Sequence, residues 1–296
     1  MYYLINGLFF LFSLLPWRFL YFLSDLFSFI FIHIIRYRRE IILHNLQIAF
    51  PELSDEKRWE IAKKFYKNFV DNFIETIKLR FISKKELSKR FIYNHDILLQ
   101  PAKAGRNLTI ALCHSFNWEY ANLGLSANFP YTFICVYMPI KNKSLERVFI
   151  KMRNHLGSKL VRATQFRKDF LPYHKQIFAI GLVSDQNPGD PGTAYWLPFF
   201  GKMTPFVKGP EKNAISNNAY VVYCHLKKVK RGYYSCNLEI ITKAPKELAP
   251  GEITKMIVSR MEKTIREQPE NYLWSHRRWK WDFSEEKYGA SKILRN

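Results

Sequence analysis

At 296 residues the chain is long enough to form one large α/β domain or two modest ones, each with a sizeable core. Aromatic residues make up 17% of it and its formal net charge is +21, which indicates a function at an anionic surface such as phospholipid, a lipopolysaccharide precursor, an acidic carrier protein or nucleic acid. The four cysteines lie in apolar runs without CxxC or Cys/His spacing, which argues against a disulfide framework or a zinc site and favours a reducing compartment.

The N-terminal segment is almost continuously apolar from Leu4 to Ile35, with interruptions only at Pro16-Trp17-Arg18 and Asp25. It is longer than the apolar region of a signal peptide and shows no basic leader or small-residue cleavage site, so we expect it to be retained. Because one membrane span needs about 20 apolar residues, the segment predicts either one kinked, tilted helix or a span with an interfacial part. A buried, Phe-rich core helix is the less favoured alternative, because the segment has no polar side.

Three arginines, Arg36, Arg38 and Arg39, follow the apolar segment directly. Since basic residues beside a span mark the cytoplasmic side of a membrane, we expect the rest of the chain to lie on that side. No repeat, low-complexity tract or long linker divides it. The sequence therefore predicts a membrane anchor over residues 1–35 and one domain over residues 36–296.

Beyond the arginines, helical and strand-like patterns follow one another. Ser54, followed by two acidic residues, predicts a helix start, and a stripe predicted to pack inward then recurs at helical spacing: Trp59, Ala62, Phe65, Phe69, Phe73 and Ile77. Apolar runs predict strands over 108–113, 131–137, 177–184, 219–226 and 233–241, and the segments between them predict helices over 117–127, 143–156, 166–175, 209–218 and 250–267. This alternation predicts an α/β fold with a central mixed sheet flanked by helices.

His114 directly follows the predicted strand 108–113, at the carboxyl end where α/β folds gather their ligands. Glu119 comes five positions later, where a helix is predicted to begin. At that spacing the carboxylate can return to the imidazole, accept a hydrogen bond from one ring nitrogen and leave the other as a base for a hydroxyl proton. The alternative is a structural histidine near a helix start, and the position after a strand favours the functional reading.

Covalent and metal-dependent alternatives fit these residues less well. Cys113 and His114 point to opposite faces if the strand continues to residue 113, so they cannot pair directly. Ser115 lacks the GxSxG turn that presents a nucleophilic serine, and no second histidine stands four positions after His114 to complete a metalloprotease motif. Direct transfer in a ternary complex is therefore favoured over an acyl-enzyme.

A turn-rich loop, Ser184 to Gly192, follows the predicted strand 177–184 and is expected at the same edge of the sheet as His114. Its Pro and Gly residues make it a loop whether or not it binds anything, but Asp185 and Asn187 could line an acceptor site. Basic residues also cluster around Gly157 and alternate with tryptophans in the stretch 272–281, YLWSHRRWKW. That alternation is typical of a phospholipid headgroup interface, and stacking on nucleic acid bases is the alternative.

Several short motifs occur in a fixed order along nearly the whole chain: Leu15-Pro16, Asn45-Leu46, Ala49-Phe50-Pro51, His114 to Glu119, Arg153 with Gly157, Asp185-Gln186, Phe199-Phe200-Gly201, Tyr272-Leu273-Trp274 and His276-Arg277-Arg278. In order and spacing the chain resembles the lipid A late acyltransferases, the lauroyl and myristoyl transferases of Gram-negative envelopes, within the lysophospholipid acyltransferase superfamily.

The resemblance implies that the chain moves a fatty acyl group from the thioester of acyl carrier protein to a hydroxyl of a lipid A precursor, at the cytoplasmic face of the bacterial inner membrane. It implies that His114 is the general base and Glu119 its orienting partner, and that neither a cofactor nor a metal is needed. Arg153 or Arg162 would bind acceptor phosphate or stabilise the tetrahedral centre. The residues expected at the substrate are thus Arg153, Arg162, Asp185, Gln186 and Asn187. Lysophospholipid, glycolipid and aminolipid acceptors stay open.

A function of another class also stays open, namely a non-enzymatic, membrane-tethered protein that binds polyanions. Its binding to duplex DNA would fall steeply with salt, and substitution of His114 would not affect it. Because the N-terminal segment is so apolar, we expect a membrane and a lipid as partners rather than nucleic acid.

Overall fold

A computed structural model of the chain describes residues 1–127 and 129–293. Its strands are β1 (Phe91–Tyr93), β2 (Leu108–Leu112), β3 (Thr132–Tyr137), β4 (Lys159–Arg162), β5 (Phe178–Val183), β6 (Tyr195–Phe199), β7 (Lys202–Phe206), β8 (Tyr220–Lys230) and β9 (Tyr233–Thr242). Seven of them form a sheet in the order β1-β9-β8-β2-β5-β3-β4, while β6 and β7 pair as a separate antiparallel hairpin.

The helices are α1 (Tyr2–Leu14), α2 (Trp17–Phe29), α3 (Arg39–Ala49), α4 (Asp55–Leu79), α5 (Lys84–Arg90), α6 (Leu99–Lys103), α7 (Trp118–Ala127), α8 (Lys143–Arg153), α9 (Phe166–Phe170), α10 (Gly209–Ser216), α11 (Glu252–Glu267) and α12 (Glu285–Tyr288). The predicted α/β fold is confirmed. The helix predicted over 166–175 is shorter than expected, because a 3₁₀ turn, Leu171–Tyr173, follows α9.

The large sheet is mixed, as predicted. All its pairings are parallel except that between β8 and β9. Its two faces are covered by separate apolar clusters, and the side chains of β2 alternate between them: Ile110 and Leu112 lie in one cluster and Ala111 and Cys113 in the other. Burial on both faces explains why β2 is apolar in the sequence except at Thr109, whose buried hydroxyl donates to Asn213 at 2.9 Å.

Helix α4 begins as predicted, because the Ser54 side chain accepts a hydrogen bond from the backbone N–H of Lys57. The predicted inward stripe is wrong at one position, since the Phe73 side chain is 51% exposed while the neighbouring Ile74 is buried. The reason lies in the packing of α4 against four other helices, α1, α2, α3 and α7. Partners on several sides bury more than one stripe of the helix.

The apolar N-terminal segment forms two helices, α1 and α2, rather than the one kinked helix that was the first expectation. The second expectation, a span with an interfacial part, stays a prediction. The two helices separate at Leu15-Pro16, and α2 continues into a π-helical turn, Ile30–Ile34. The continuous helix Trp17–Ile34 is long and apolar enough to cross a membrane by length and composition. One side of it packs on α4, with Leu20, Ser24 and Ser28 buried, so this segment does have a polar side.

The structure joins Cys224 of β8 and Cys236 of β9 as a disulfide, with 5.9 Å between their Cα atoms. The expectation that the cysteines form no disulfide is contradicted at this pair, because the two residues have no diagnostic spacing and meet only when the antiparallel strands align. Cys113 and Cys135 are free.

Candidate active site

The carboxyl ends of β2 and β5 lie side by side and bring two loops together. Leu112 is opposite Val183 in the parallel register, so His114 and Asp185 are each the second residue beyond the end of adjacent strands. Asp185 Oδ1 accepts a hydrogen bond of 3.0 Å from the His114 backbone N–H and lies 2.8 Å from His114 Nδ1. The expectation that His114 and this loop share one edge of the sheet is confirmed.

The Asp185 carboxylate fixes the orientation of the imidazole. Burial by itself would raise the pKa of Asp185, but the charge and hydrogen bond of His114 outweigh it and hold that pKa below its usual value. A carboxylate can only accept hydrogen bonds, so His114 Nδ1 carries the proton in this pair. In the neutral form of the ring Nε2 is then the unprotonated nitrogen, and the His114 side chain, 20% exposed, lies in the wall of a cavity.

The Glu119 carboxylate binds Arg153, whereas the spacing led us to expect it at His114. Glu119 lies in the first turn of α7, where Asn117 Oδ1 accepts a hydrogen bond from the Glu119 backbone N–H at 3.0 Å. That cap starts the helix in a direction that points the Glu119 carboxylate toward Arg153, the last residue of α8. Arg153 donates to it from Nε at 3.0 and 3.1 Å and from Nη2 at 2.6 Å.

The Glu119–Arg153 ion pair is almost completely buried, with side-chain exposures of 4% and 17%. Burial alone would lower the pKa of Arg153, but the charge and the hydrogen bonds of Glu119 have the larger effect, so the pKa of the guanidinium is raised. Arg153 Nη1 takes no part in the pair, and within residues 1–127 and 129–293 it donates no hydrogen bond. It is therefore available to a ligand in the cavity beside it.

A cavity of about 490 Å³ opens where these side chains meet. Apolar residues from β2, β3, β5 and α7 make most of its wall: Ile110, Leu112, Ala121, Leu125, Phe133, Val136, Leu182 and Val183. The polar residues in the wall include His114, Glu119, Asn122, Arg153, Ser184, Gln186 and Asn187. The structure thus brings most of the sequence-predicted site residues to one apolar cavity, with Asp185 directly behind His114.

Arg162 is the exception among the predicted substrate contacts. It lies at the end of β4 and forms a bidentate ion pair with Asp169, at 2.6 and 2.8 Å. The hydrogen bonds from Arg162 hold the pKa of that carboxyl at about 2. Arg162 is not in the cavity wall, because the short α9 provides a carboxylate seven residues away that engages the guanidinium locally.

Residues 1–281 match the sequence model of a family described as bacterial lipid A biosynthesis acyltransferase. The chain belongs to this family. It is therefore an acyltransferase that acts on a lipid acceptor, which confirms the resemblance seen in the sequence and sets aside the non-enzymatic polyanion binder.

Individual relatives differ in the acceptor that their names give. The lipid A biosynthesis palmitoleoyltransferase of Escherichia coli strain K12 is 24% identical over 257 residues, which are 82% of this chain and 79% of that protein. The lipid A biosynthesis acyltransferase of Haemophilus influenzae is 22% identical over 233 residues, 78% of this chain and 72% of that protein. The phosphatidylinositol mannoside acyltransferase of Mycolicibacterium smegmatis is 32% identical over 136 residues, 44% of this chain and less than half, 43%, of that protein.

In this acyltransferase the loop after β5 is fastened to the C-terminal segment 276–278 through Asn187. The Asn187 backbone N–H donates to His276 Nε2 at 3.2 Å, its Nδ2 donates to the Arg277 carbonyl at 2.6 Å, and its Oδ1 accepts from Arg278 at 2.8 Å. Burial lowers the pKa of His276 to about 4, so the ring is neutral at physiological pH and can accept the Asn187 hydrogen bond.

The C-terminal aromatic and basic stretch is mostly interior, although its composition is typical of a headgroup interface. Arg278 is 1% exposed and donates to the Pro205 carbonyl at 2.8 Å, while Trp274 and Trp279 are 0% and 7% exposed. The segment is irregular and turns every few residues, so buried and exposed positions follow one another closely along the stretch 272–281. Only Arg277 and Lys280 are exposed among its basic residues.

Sequence reasoning missed two asparagines that hold the segment between His114 and Glu119. Asn271 Nδ2 donates to the Phe116 carbonyl at 2.6 Å, and the Asn271 carbonyl accepts from the Phe116 N–H at 2.8 Å. Asn117 Nδ2 donates to Glu75 Oε2 of α4 at 3.1 Å. Asn117 is the first residue of the predicted helix 117–127, and the preference of asparagine for the N-cap position was the available signal.

Proposed function

We propose that this acyltransferase moves a fatty acyl chain from acyl carrier protein to a hydroxyl group of a lipid A precursor, with His114 as the general base. The observation that carries the proposal is the 2.8 Å contact between His114 Nδ1 and Asp185 Oδ1, at the wall of a largely apolar cavity. The chain's own residues suit the transfer without an acyl-enzyme, since the Cys113 thiol lies on the other face of β2, and burial raises its pKa to about 12.

In the proposed reaction His114 Nε2 takes the proton of the acceptor hydroxyl as its oxygen attacks the thioester carbonyl. The buried Asp185 carboxylate stabilises the imidazolium that forms and stays ionised itself. When the tetrahedral centre collapses, the carbon–sulfur bond breaks and the imidazolium returns its proton to the departing thiolate. The products are the acylated lipid and the free thiol of the carrier, and His114 ends neutral.

The Glu119–Arg153 pair has a different part in this proposal. Arg153 Nη1 lies beside the cavity and can donate to the oxyanion of the tetrahedral centre, where a fixed donor is most effective in a site that excludes water. Glu119 holds the guanidinium through three contacts of 3.1 Å or less and keeps it in one orientation. Glu119 is thus required through Arg153 rather than through His114.

The apolar wall supports an acyl chain as the group held in the cavity, because its aliphatic and aromatic side chains offer a fatty chain a surface away from water. Gly181 of β5 contributes to that wall with no side chain, and a Cβ at this position would lie 3.3 Å from the Phe133 ring. A glycolipid is the second candidate acceptor, because the mycobacterial relative is named for a phosphatidylinositol mannoside.

We also propose that the enzyme lies on the cytoplasmic face of the inner membrane and contacts it through α1 and α2. The side of α2 away from α4 exposes large apolar side chains, among them Phe19, Phe22, Leu26 and Phe29. The opposite side is tied to the domain, since Arg231 pairs with Asp25 at 2.9 Å and Ser24 donates to Asp71 at 2.7 Å. A helix fastened along its length by charged groups favours a position in the membrane interface.

The experiment is acyl transfer by the purified full-length protein, with acyl carrier protein as donor and a lipid A precursor as acceptor. His114→Ala should abolish transfer while the protein stays folded and membrane-bound. Glu119→Ala should also abolish transfer, but with lower stability, because it leaves the buried Arg153 charge without its partner. Arg162→Gln is the matched control, because it removes an arginine that pairs with Asp169 outside the cavity, and it should keep most of the activity. Full activity of the His114 variant would refute the mechanism.

Lipid mass spectrometry of a deletion strain separates the candidate acceptors. Loss of one acyl chain from lipid A supports the first acceptor, whereas loss from a glycolipid with intact lipid A supports the second. An unchanged lipid profile in both classes would contradict the proposed acceptors.

A further inference from the structure

An open cleft of about 520 Å³ lies beside the start of α3, outside the catalytic cavity. Its lining residues are Arg36, Arg38, Arg39, Glu40, Ile41 and Arg277. Four guanidinium groups thus face a space that contains one carboxylate. Over residues 1–127 and 129–293, no salt bridge neutralises any of the four arginines, of which Arg39 is half-buried and the other three are exposed.

Two of these arginines are held in place by the protein itself. Arg38 Nη1 donates to the Ser275 carbonyl at 2.9 Å, and the Arg39 guanidinium lies 4.3 Å from the centre of the Trp59 ring. Arg36 and Arg38 both have left-handed backbone conformations, with φ of 52° and 50°, which are uncommon for residues other than glycine. The fold therefore accepts unfavourable backbone geometry at the point where it presents the basic groups.

The cleft lies between the exposed apolar end of the N-terminal helices and the loop that contains Asp185 and Asn187. The two residues before Arg36, Ile34 and Ile35, are 67% and 57% exposed at the end of the apolar helix. On the other side, the Arg277 carbonyl accepts a hydrogen bond from Asn187, whose side chain lies in the wall of the catalytic cavity. A group bound in the cleft is thus close to the proposed membrane surface. Only Arg277 separates it from the loop that contains Asp185 and Asn187.

We infer that this cleft binds the phosphate group of a membrane lipid. Arginine forks match the geometry of phosphate oxygens and keep their charge at any physiological pH, and the exposed isoleucines beside them suit the acyl region of the same lipid layer. The inference rests on the proposed function, because a lipid acceptor must be held at this surface. The phosphate could belong to the acceptor itself or to an anionic phospholipid of the surrounding bilayer, and the chemistry of the cleft is the same for both.

The double variant Arg36→Gln/Arg277→Gln tests the inference in the full-length protein. Neither side chain makes a hydrogen bond to the rest of the described structure, so the fold should be retained. Lys243→Gln/Lys246→Gln is the matched control, since it removes the same charge from two exposed residues between β9 and α11. Transfer kinetics are measured in neutral detergent with a phosphorylated lipid A precursor and its dephosphorylated form. Binding is measured separately with phosphatidylcholine vesicles, with and without phosphatidylglycerol.

If the cleft holds the acceptor, the KM for the phosphorylated precursor rises about tenfold in the arginine variant while kcat is kept, and the dephosphorylated form shows no such change. If it holds a bilayer lipid, KM is unchanged and binding to phosphatidylglycerol vesicles falls about tenfold. Either result supports a lipid phosphate site. Wild-type kinetics and wild-type vesicle binding in the arginine variant would overturn it, as would an equal loss in the lysine control. If the wild-type protein transfers no acyl group, the proposed function fails and the vesicle measurement alone decides the cleft.

Discussion

Asp185→Asn distinguishes the two carboxylates that could orient His114. Asparagine keeps the size of Asp185 and an oxygen for the His114 hydrogen bonds, but it removes a negative charge that is 1% exposed beside the imidazole. A hydrogen bond to a charged group contributes about 1.5–3 kcal/mol and a neutral one about 0.5–1.5 kcal/mol. The difference, about 1 to 1.5 kcal/mol in the step that forms the imidazolium, predicts a fall in kcat of about 5- to 13-fold.

Glu119→Gln should act on stability first. It leaves the buried Arg153 charge without its partner, and breaking a buried ion pair costs about 3–5 kcal/mol. For a protein of this size such a loss lowers the melting temperature by on the order of 10 °C. Asp185→Asn removes a charge beside a neutral imidazole and should lower the melting temperature less.

The assay is the initial rate of acyl transfer at saturating donor and acceptor, normalised to the folded fraction, with the melting temperature followed in the same detergent. The double variant Glu119→Gln/Arg153→Gln is the control, because it removes both charges and should recover part of the stability without recovering activity. Wild-type kcat in Asp185→Asn, together with a well-folded but inactive Glu119→Gln, would refute the assignment and return the orienting role to Glu119.

Three further substitutions test other parts of the site. Gly181→Ala adds a Cβ 3.3 Å from Phe133 in the cavity wall. Each methylene of the acyl chain that no longer fits in the cavity should cost about 0.8 kcal/mol, or about fourfold in kcat/KM. When acyl donors of different length compete, the products should therefore shift toward shorter chains, and an unchanged product profile would contradict an acyl-chain site in this cavity. His276→Gln should flatten the pH dependence of stability. In the folded protein the pKa of His276 is lowered to about 4, whereas in the unfolded chain it is about 6.5. Between these values the unfolded state binds a proton that the folded state does not, so the wild type loses about 1–2 kcal/mol of stability as the pH falls, after allowance for partial exposure of the ring. Identical plots of melting temperature against pH for variant and wild type would refute this. Glu75→Gln should lower stability by about 1–3 kcal/mol, because the single amide oxygen cannot accept hydrogen bonds from Asn117, Tyr21 and Tyr234 together. An unchanged melting temperature would count against this hydrogen-bond network around Glu75.

The sheet could be predicted from sequence where its strands are apolar runs. β2 and β5 are buried and rich in branched side chains, so their bounds differ from prediction by one residue. β4, with the sequence KLVR, is too short and too charged to be seen. The β6–β7 hairpin contains Pro198 and Pro205, residues that argue against strands in a sequence.

Most residues of the candidate active site could be predicted from the sequence, but which of them bind one another could not. Strand ends identify His114 and Asp185, because parallel neighbours place their carboxyl ends at one edge. Which carboxylate reaches the imidazole depends on the register of β2 against β5 and on the cap that aims α7. Arg153 is 34 residues from Glu119 in the chain, and only the packing of α8 against α7 shows that it takes that carboxylate. Local spacing made Glu119 the nearer candidate, and tertiary contacts decided otherwise.

The contacts of α2 also bear on why its polar residues are retained in so apolar a segment. Asp25 would be costly in the middle of a bilayer, yet here it pairs with Arg231, which also binds the buried Asp71 of α4. One turn earlier, the Tyr21 hydroxyl donates to Glu75, and Glu75 accepts from Asn117, the cap of α7. A helix that served only as a tether would need none of these bonds. The buried polar cluster therefore makes α2 part of the framework of the active site, and its exposed apolar side is the surface that we propose contacts the membrane.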